Sequence, residues 1–465
     1  MCMKKWIMGV VLASSLCLLS EPASAASSEY VIETTKMAAL QKHYSFKKID
    51  KITGQSIYKI RVTKEVAKKL QRDTRVQELT KNRAVKVPPI EAGVTVKSLS
   101  GNWGLADMQF PAANPFLAPV EVAIIDSGVD TDHPLIASQL VNSYATDGFT
   151  SVEDENGHGT HVAGIVAEGT PNIRIVPIRV LDQYGDGDIY NVVEGIYYAI
   201  EQQVDVINMS IGIGEEPDAM LAEALTDAAE AGIMMTAAAG NDYADYIEYP
   251  ASAPEVYGVG AYNSSGQRAR FSHTGEGLDF MGPGYAVQSA KLGGGYRTMN
   301  GTSMATPFIS KALALAKSAN PALQKKELET LALAAAEPIA GTTFLEAGHG
   351  KINMDKLMKG AYATDATVRY MTPKTSTDAQ KKWTITLSGA IDNTATNFSK
   401  VTVVSDTGVA QNVTVQAGVN AKKIDVLAPT SGYAKGIYYL HVASGLKAQS
   451  GKVLKQSTIN QFTIN

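Results

Sequence analysis

Cysteine is nearly absent from this chain of 465 residues, and the two present, Cys2 and Cys17, both lie close to its amino end. We therefore expect no disulfide and no thiol chemistry in the mature protein. The net charge is only −4, so composition indicates no nucleic-acid partner. With 45% hydrophobic and 19% charged residues the chain is expected to be globular, and its length favours about two to four domains.

Residues 1–25 have the three parts of an export signal. Two lysines precede an apolar run over residues 6–19, and Ala23-Ser24-Ala25 supplies the small residues of a cleavage site. The run is short for a membrane span. We therefore predict a secreted, extracellular protein. The alternative is lipid attachment at Cys17, with association at the cell surface, but Leu16 stands where a small residue is expected.

Three short segments carry residues that can perform one chemistry together. They are IIDSGVD at residues 124–130, NGHGTHVAG at residues 156–164 and NGTSMATP at residues 300–307. A serine hydroxyl becomes nucleophilic when an imidazole takes its proton and a carboxylate orients that imidazole. Asp126, His158 and Ser303 can fill these roles. Each segment alone has a simpler interpretation, because Asp after a strand and Ser in a loop often only cap helices or turns.

Taken together and in this order, the segments resemble those of the subtilisin-like serine proteases, over roughly residues 103–357. The resemblance implies a serine endopeptidase that hydrolyses peptide bonds through an acyl-enzyme. Asp126 would orient the base His158, and Ser303 would be the nucleophile. His161, in the same segment, is expected to be a structural hydrogen-bonding residue.

The resemblance also implies an oxyanion hole. Its donors would be the backbone N–H of Ser303, at the amino end of a helix, and the side chain of Asn241. Asn241 closes the segment Ala237-Ala238-Ala239-Gly240-Asn241, which is similar to the family's oxyanion segment. The alternative for Asn241 is an ordinary turn residue after a strand.

Substrates of this family bind as an added β-strand. The resemblance places that strand here between Gly185-Asp186-Gly187 and Ser210-Ile211-Gly212. The walls of the main specificity pocket would come from the latter segment and from Ala238-Ala239-Gly240, and its far end from residues 242–250. Glu248 lies in that far segment. Its carboxylate would suit Lys or Arg before the scissile bond, unless the side chain points to solvent.

The order of strands and helices predicts an α/β catalytic domain over residues 99–363. Nearly continuous apolar strands, such as residues 120–125 and 173–181, alternate with helical segments such as residues 189–203 and 217–231. This pattern favours a doubly wound, mostly parallel sheet of the subtilisin-like type. Ligand sites in such sheets lie at the carboxyl ends of the strands, where Asp126, Ser210 and Asn241 fall.

Two further domains are predicted around this one. Residues 26–98 are basic and show a strand, helix and strand pattern, which resembles the small α+β prodomain that assists folding and inhibits the protease in this family. A solvated basic domain without a partner is the alternative. Residues 364–465 alternate apolar and polar residues between turn signals, as an all-β, immunoglobulin-like sandwich would.

No cofactor is expected for the chemistry. Many family members bind calcium tightly, through an acidic residue after the aspartate motif and a long loop after the histidine helix. Here Leu135 follows Asp-His-Pro and residues 168–173 are short, so we expect that site to be missing. Three acidic residues match a metal-binding loop only weakly and leave structural calcium open; they are Asp182, Asp186 and Asp188.

The expected partners are protein or peptide substrates and the chain's own prodomain as an intramolecular inhibitor. The carboxyl-terminal module could also contact the cell wall or surface. Two other functions stay open: an inactive homologue, or a surface-binding protein whose main functional part is residues 364–465. Lys311, where the family has small residues behind the nucleophile, predicts altered packing rather than lost chemistry.

Overall fold

The computed structural model describes residues 27–88, 91–96 and 101–465. The predicted export signal lies outside the described residues. The described residues form two compact units, divided between residues 81 and 82. Within the part of the chain that is described, no helix is long and apolar enough to cross a membrane.

The amino-terminal unit is an antiparallel four-stranded sheet, in the order β2-β3-β1-β4, with two helices. Thr63 caps the second helix by accepting a hydrogen bond from the N–H of Val66. Apolar alternation predicted β3 and a helical stretch predicted α2, whereas β1, α1, β2 and β4 were not predicted. The elements are β1 (Ser27–Glu33), α1 (Met37–His43), β2 (Lys47–Lys51), β3 (Ile57–Thr63), α2 (Lys64–Leu70) and β4 (Glu78–Lys81).

The second unit contains a seven-stranded, wholly parallel sheet in the order β14-β13-β12-β11-β7-β9-β8. This sheet confirms the predicted parallel α/β architecture. Its central strands are buried on both faces, which explains their continuous apolar sequences. Its strands are β7 (Val120–Asp126), β8 (Tyr144–Ala145), β9 (Ile173–Arg179), β11 (Val206–Met209), β12 (Met234–Ala238), β13 (Tyr257–Tyr262) and β14 (Leu278–Pro283).

Three smaller sheets accompany it, with the strand orders β10-β5, β15-β16-β6 and β17-β18. In each of them neighbouring strands are antiparallel. Their strands are β5 (Ala84–Lys86), β6 (Glu91–Val96), β10 (Asp186–Asp188), β15 (Val287–Ala290), β16 (Tyr296–Asn300), β17 (Ala336–Glu337) and β18 (Lys351–Ile352).

Helices flank the parallel sheet, and one of them is buried almost all round. In α7 every residue except Lys317 is buried, so small residues dominate its sequence. The predicted helix over residues 217–231 is shorter, because Asp218 caps it after Pro217. The helices are α3 (Trp103–Asp107), α4 (His158–Ala167), α5 (Ile189–Glu201), α6 (Ala219–Glu230), α7 (Thr302–Ala319), α8 (Lys325–Ala335), α9 (Phe344–Ala347) and α10 (Met354–Thr364).

The carboxyl-terminal region contains a four-stranded sheet, β19-β25-β24-β21, and a three-stranded sheet, β20-β23-β22, which share one apolar core. Strand β19, which pairs in parallel with β25, was not predicted. The immunoglobulin-like assignment stays a prediction. The elements are β19 (Val368–Ser376), β20 (Trp383–Thr386), α11 (Ala395–Phe398), β21 (Val401–Ser405), β22 (Thr414–Ala417), β23 (Lys423–Leu427), β24 (Gly436–Val442) and β25 (Ser457–Ile464).

Aromatic contacts join this region to the catalytic part of the same unit. The hydroxyl of Tyr439 donates a 2.9 Å hydrogen bond to the carbonyl of Ala113. The ring of Phe116 lies 4.6 Å from that of His441. The rings of Tyr362, at the end of α10, and Tyr370, in β19, stack at 3.5 Å. The two parts therefore share a packed interface.

Phe462 is fully buried in the core of the carboxyl-terminal region, with Trp383, Tyr433 and Tyr438 against its ring. We expect Phe462→Ala to lower the free energy of unfolding by about 3–5 kcal/mol, because it removes apolar contacts and leaves a cavity. Urea denaturation followed by tryptophan fluorescence measures this change. The control Val419→Ala, at a side chain that is 81% exposed, should change it by less than about 0.5 kcal/mol. Equal effects would contradict the assigned core.

Candidate active site

The carboxylate of Asp126 and the ring of His158 form a fully buried pair. The imidazole Nδ1 lies 2.8 Å from one carboxylate oxygen of Asp126 and 3.0 Å from the other. Asp126 ends β7 and His158 opens α4, so a strand end and a helix start bring them together. Gly159 permits this approach, because a Cβ there would overlap the carbonyl oxygen of Gly128. The carboxylate can fix the ring's tautomer and stabilise a positive charge on it.

Asp154 organises the loop that leads into His158. Its buried carboxylate accepts hydrogen bonds from the backbone N–H groups of Asn156, Gly157 and Thr160 and from the hydroxyls of Ser127 and Thr160. The Ser127 hydroxyl in turn accepts a hydrogen bond from the N–H of Gly159. Sequence analysis missed Asp154, although an acidic residue four positions before the histidine was visible.

His161 lies in the same helix, with its Nε2 3.1 Å from the carbonyl oxygen of Arg297. Burial lowers the pKa of His161 to about 3, so its ring is neutral at ordinary pH. A neutral ring held against a backbone carbonyl suits the structural role expected for it.

Ser303 lies in the first turn of α7, and a chain of buried polar groups fastens this turn to the sheet. The Ser303 carbonyl accepts a 2.9 Å hydrogen bond from the hydroxyl of Ser210. Asn208 donates to that same hydroxyl and accepts from the hydroxyl of Ser310, which lies about two helix turns after Ser303. The Ser303 hydroxyl itself donates to the carbonyl oxygen of Ser210 at 3.4 Å.

Asn241 follows β12, and its side chain is oriented by Thr302. The Asn241 Oδ1 accepts hydrogen bonds from the backbone N–H and the hydroxyl of Thr302, at 2.8 and 2.9 Å. This fixes which end of the amide is the donor. Among the described residues, the buried Nδ2 of Asn241 and the buried Nε2 of His158 have no hydrogen-bond partner. Buried polar groups are usually hydrogen-bonded, so these two atoms are available to a partner that a substrate could supply.

The two segments expected to bind substrate lie on either side of a strand of the chain itself. β5 pairs in antiparallel fashion with β10, so that Lys86 lies opposite Asp186. On its other side, Lys86 exchanges two backbone hydrogen bonds with Gly212, of 3.1 and 3.0 Å. The structure thus brings residues 185–187 and 210–212 together as the two edges of one groove.

Glu248 lies against the inner edge of this groove and is partly buried. A Cβ on Gly212 would overlap its carboxylate, so the glycine makes room for it. The backbone N–H of Glu248 donates to the carbonyl of Ala239, in the other predicted wall. Burial, and then the nearby carboxylate of Asp242, raise the pKa of Glu248 to about 7.

The acidic loop residues have partners within the protein. Asp182 accepts hydrogen bonds from the backbone N–H groups of Tyr184 and Asp186, and Asp188 caps α5. In the residues that the structure describes, no cluster of three His, Cys, Asp or Glu side chains could hold a metal ion.

Lys311, in α7, is also buried behind the nucleophile. It donates hydrogen bonds to the carbonyls of Ile165 and Glu168 at the end of α4. This contact ties α7 to the end of α4, and the altered packing relative to the family stays a prediction.

A parallel α/β sheet that carries a buried Asp–His pair and a serine at its strand ends has the features of a serine hydrolase. A family model described as "Subtilase family" matches residues 119–351. The chain therefore belongs to the subtilase family and is a serine endopeptidase.

Individual relatives agree with this assignment. The chain is 35% identical over 277 residues to "Alkaline protease" of Alkalihalobacillus alcalophilus, covering 57% of this chain and 72% of that protein. It is 35% identical over 265 residues to "Subtilisin Savinase" of Lederbergia lenta, covering 54% and 97%. It is 38% identical over 235 residues to "Subtilisin E" of Bacillus subtilis (strain 168), covering 47% and 61%.

Replacing Asp154 by alanine should destabilise the protein by at least about 3 kcal/mol, because buried N–H and hydroxyl donors lose a charged acceptor. Thermal or urea unfolding in a Ser303→Ala background, which avoids self-digestion, measures the loss. The control Asp132→Ala removes an exposed carboxylate and should change the stability by less than about 0.5 kcal/mol. An equally small effect at Asp154 would show that its hydrogen bonds do not support the site.

Proposed function

We propose that the chain hydrolyses peptide bonds with Ser303 as nucleophile, His158 as general base and Asp126 as the residue that orients the base. The observation that carries this proposal is the pair of unpartnered buried atoms, His158 Nε2 and Asn241 Nδ2, beside an Asp126–His158 hydrogen bond of 2.8 Å. One atom is ready to accept a proton, and the other is ready to donate to a developing negative charge.

The reaction follows from these positions. The Ser303 hydroxyl attacks the scissile carbonyl while its proton passes to His158 Nε2, and Asp126 stabilises the imidazolium. The Asn241 side chain and the Ser303 N–H stabilise the oxyanion. His158 then protonates the leaving amine, and the carbonyl stays on Ser303 as an ester. A water molecule, deprotonated by His158, hydrolyses that ester. No cofactor is needed for any of these steps.

Substrates would be proteins or peptides that bind as an added strand. Residues 84–87 of the chain itself support this, because they are held in the groove by backbone hydrogen bonds. Such bonds form whatever side chains the bound strand carries. Ala238-Ala239-Gly240 would form one wall of the pocket and Ser210-Ile211-Gly212 the other.

The protein would be exported and made as a precursor. The signal-like residues 1–25 and the basic residues 26–98, as an inhibitory prodomain, support this interpretation. Export would place the enzyme outside the cell. Contact of the carboxyl-terminal region with a wall or surface would be an additional role.

Replacing Ser303 by alanine should abolish maturation. The secreted wild type should lose the residues before about 99, whereas Ser303→Ala should keep them, because self-cleavage needs the nucleophile. Intact mass measures both. Ser264→Ala, at an exposed serine, should mature as the wild type does. Complete maturation of Ser303→Ala in a host without other proteases would exclude Ser303 as the nucleophile.

Asn241→Ala should lower kcat by about 10²–10³ with little change in KM, a range taken from a member of the same family. The reason is that the amide contacts the oxyanion, which forms only in the transition state. Steady-state kinetics on a chromogenic peptide gives both constants. A change confined to KM would contradict the oxyanion role.

We further propose that Glu248 selects Lys or Arg before the scissile bond, since its partly buried carboxylate lies behind Gly212. The raised pKa, about 7, means that the carboxylate is neutral below that pH and charged above it. A bound cation would favour the charged form.

The ratio of kcat/KM for a Lys peptide to that for a matched Leu peptide should therefore rise as pH increases from 6 to 8. The ratio cancels every effect of pH that the two peptides share. Glu248→Gln, with nearly the same shape, should lower the ratio by at least about tenfold at pH 8 and remove its pH dependence. An unchanged ratio in Glu248→Gln would refute the role of this carboxylate.

A second candidate is an inactive homologue or a surface-binding protein. The observation that favours it is the Ser303 hydroxyl, which contacts the Ser210 carbonyl rather than His158. The Ser303→Ala comparison separates the two functions, because an inactive protein would keep the residues before about 99 in both variants.

A further inference from the structure

A buried histidine packs directly against the turn that carries Asn241. We define the oxyanion turn as residues 240–242. The ring of His273, from the loop after β13, is fully buried. It lies so close to Gly240 that a Cβ there would come within 2.3 Å of the ring Nδ1. Gly240 also has a φ of +115°, which favours glycine. The absence of a side chain at position 240 therefore lets the imidazole support the oxyanion turn.

His273 is hydrogen-bonded to the residues on both sides of Asn241. Its backbone N–H donates a 3.2 Å hydrogen bond to the carbonyl of Gly240. Its Nε2 contacts the carboxylate of Asp242, and the backbone N–H of Asp242 lies 3.1 Å from the same nitrogen. With a proton, Nε2 donates to the carboxylate, and without one it accepts from the N–H. The ring is therefore bonded to residue 242 in either tautomer.

Backbone hydrogen bonds join the two loops around His273 independently of its ring. The N–H of Tyr243 donates 3.1 Å to the carbonyl of Phe271. The N–H of Thr274 donates 3.2 Å to the carbonyl of Ala244. Because these bonds do not involve the imidazole, a substitution at residue 273 releases the oxyanion turn while the two loops stay joined.

Thr302 holds the other part of the oxyanion turn. Its N–H and hydroxyl donate to the Oδ1 of Asn241, and the hydroxyl accepts a 3.2 Å hydrogen bond from the N–H of Gly240. These bonds end at residues 240 and 241, so the attachment of residue 242 depends on His273. An oxyanion donor has to lie about 2.7–3.1 Å from the charged oxygen, and a misplacement of about 1 Å costs roughly 10²-fold in rate. The attachment therefore matters for catalysis.

We infer that His273 is a positioning residue, which holds Gly240 and Asp242 so that the Asn241 amide lies where it donates to the oxyanion. This inference rests on the proposed function of Asn241 and Ser303. The side chain of His273 is hydrogen-bonded to Asp242 rather than to the triad, so it acts through the oxyanion turn. A change at His273 should therefore slow the chemical step and leave peptide binding unchanged, because the oxyanion is absent from the bound substrate.

The test measures kcat and KM for a chromogenic peptide in His273→Leu and His273→Gln, per molecule counted by exhaustive fluorophosphonate labelling of Ser303. Leucine fills the space but can neither donate nor accept a hydrogen bond, whereas the glutamine amide can do both. His273→Leu should lower kcat by roughly 10–10² with KM little changed. His273→Gln should recover most of this loss. The control His349→Leu, at an exposed histidine, should leave both constants as in the wild type.

A double-mutant cycle with Asn241→Ala separates positioning from a general structural role. If His273 acts through the Asn241 amide, His273→Leu should lower kcat by less than about twofold once that amide is absent. A merely structural histidine would lower kcat by the same factor in both backgrounds. Where the leucine variant yields too little folded enzyme, His273→Ala, which leaves space instead of filling it, gives the same comparison.

A wild-type kcat in His273→Leu would overturn the inference, and so would an equal loss of kcat in both backgrounds. A change confined to KM would overturn it as well, because it would place His273 in substrate binding. A wild-type kcat in Asn241→Ala would instead refute the proposed oxyanion function of Asn241. That result is distinct from the others, because it needs no substitution at His273.

Discussion

The candidate site depends on how the buried amino end of α7 is attached to the ends of the parallel strands. A helix buried on all sides must satisfy its first N–H groups within the protein. Here Asn241 accepts from Thr302, and the hydroxyl of Ser210 donates to the Ser303 carbonyl. These bonds determine where Ser303 lies, and they also aim the free amide donor of Asn241. The same hydrogen bonds therefore set both the position of Ser303 and the direction in which the Asn241 amide donates.

The same hydrogen bonds connect the nucleophile to substrate binding. Residue 210 contacts Ser303 through its side chain, while its backbone belongs to one edge of the groove. The carbonyl oxygen of Ser210 has two lone pairs, so it can accept from a strand in the groove as well as from the Ser303 hydroxyl. The nucleophile and the groove therefore meet at a single residue, Ser210.

The sequence predicted the parallel sheet because fully buried strands have continuous apolar sequences, as residues 120–125 show. It also proposed Asp126, His158 and Ser303 as the catalytic residues, because three segments in this order resemble those of the family. It missed Asp154, whose role depends on donors that meet only after the loop has folded. It could not show that residues 84–86 pair with residues 186–188 either, because strand pairing across distant segments has no local signal. Strand β19 was missed since most of its residues are exposed and its sequence lacks an apolar face.

The aromatic contacts between α10 and β19 have a consequence for the size of the enzyme. The chain between them, residues 365–367, includes the exposed Ala366 and Thr367, where a protease can reach the backbone. A cut there would break the covalent link but not the stacking of Tyr362 on Tyr370 or the hydrogen bond of Tyr439. The two polypeptides would then separate on a denaturing gel but elute together under native conditions. The molecular weight of the denatured chains therefore need not be that of the working enzyme.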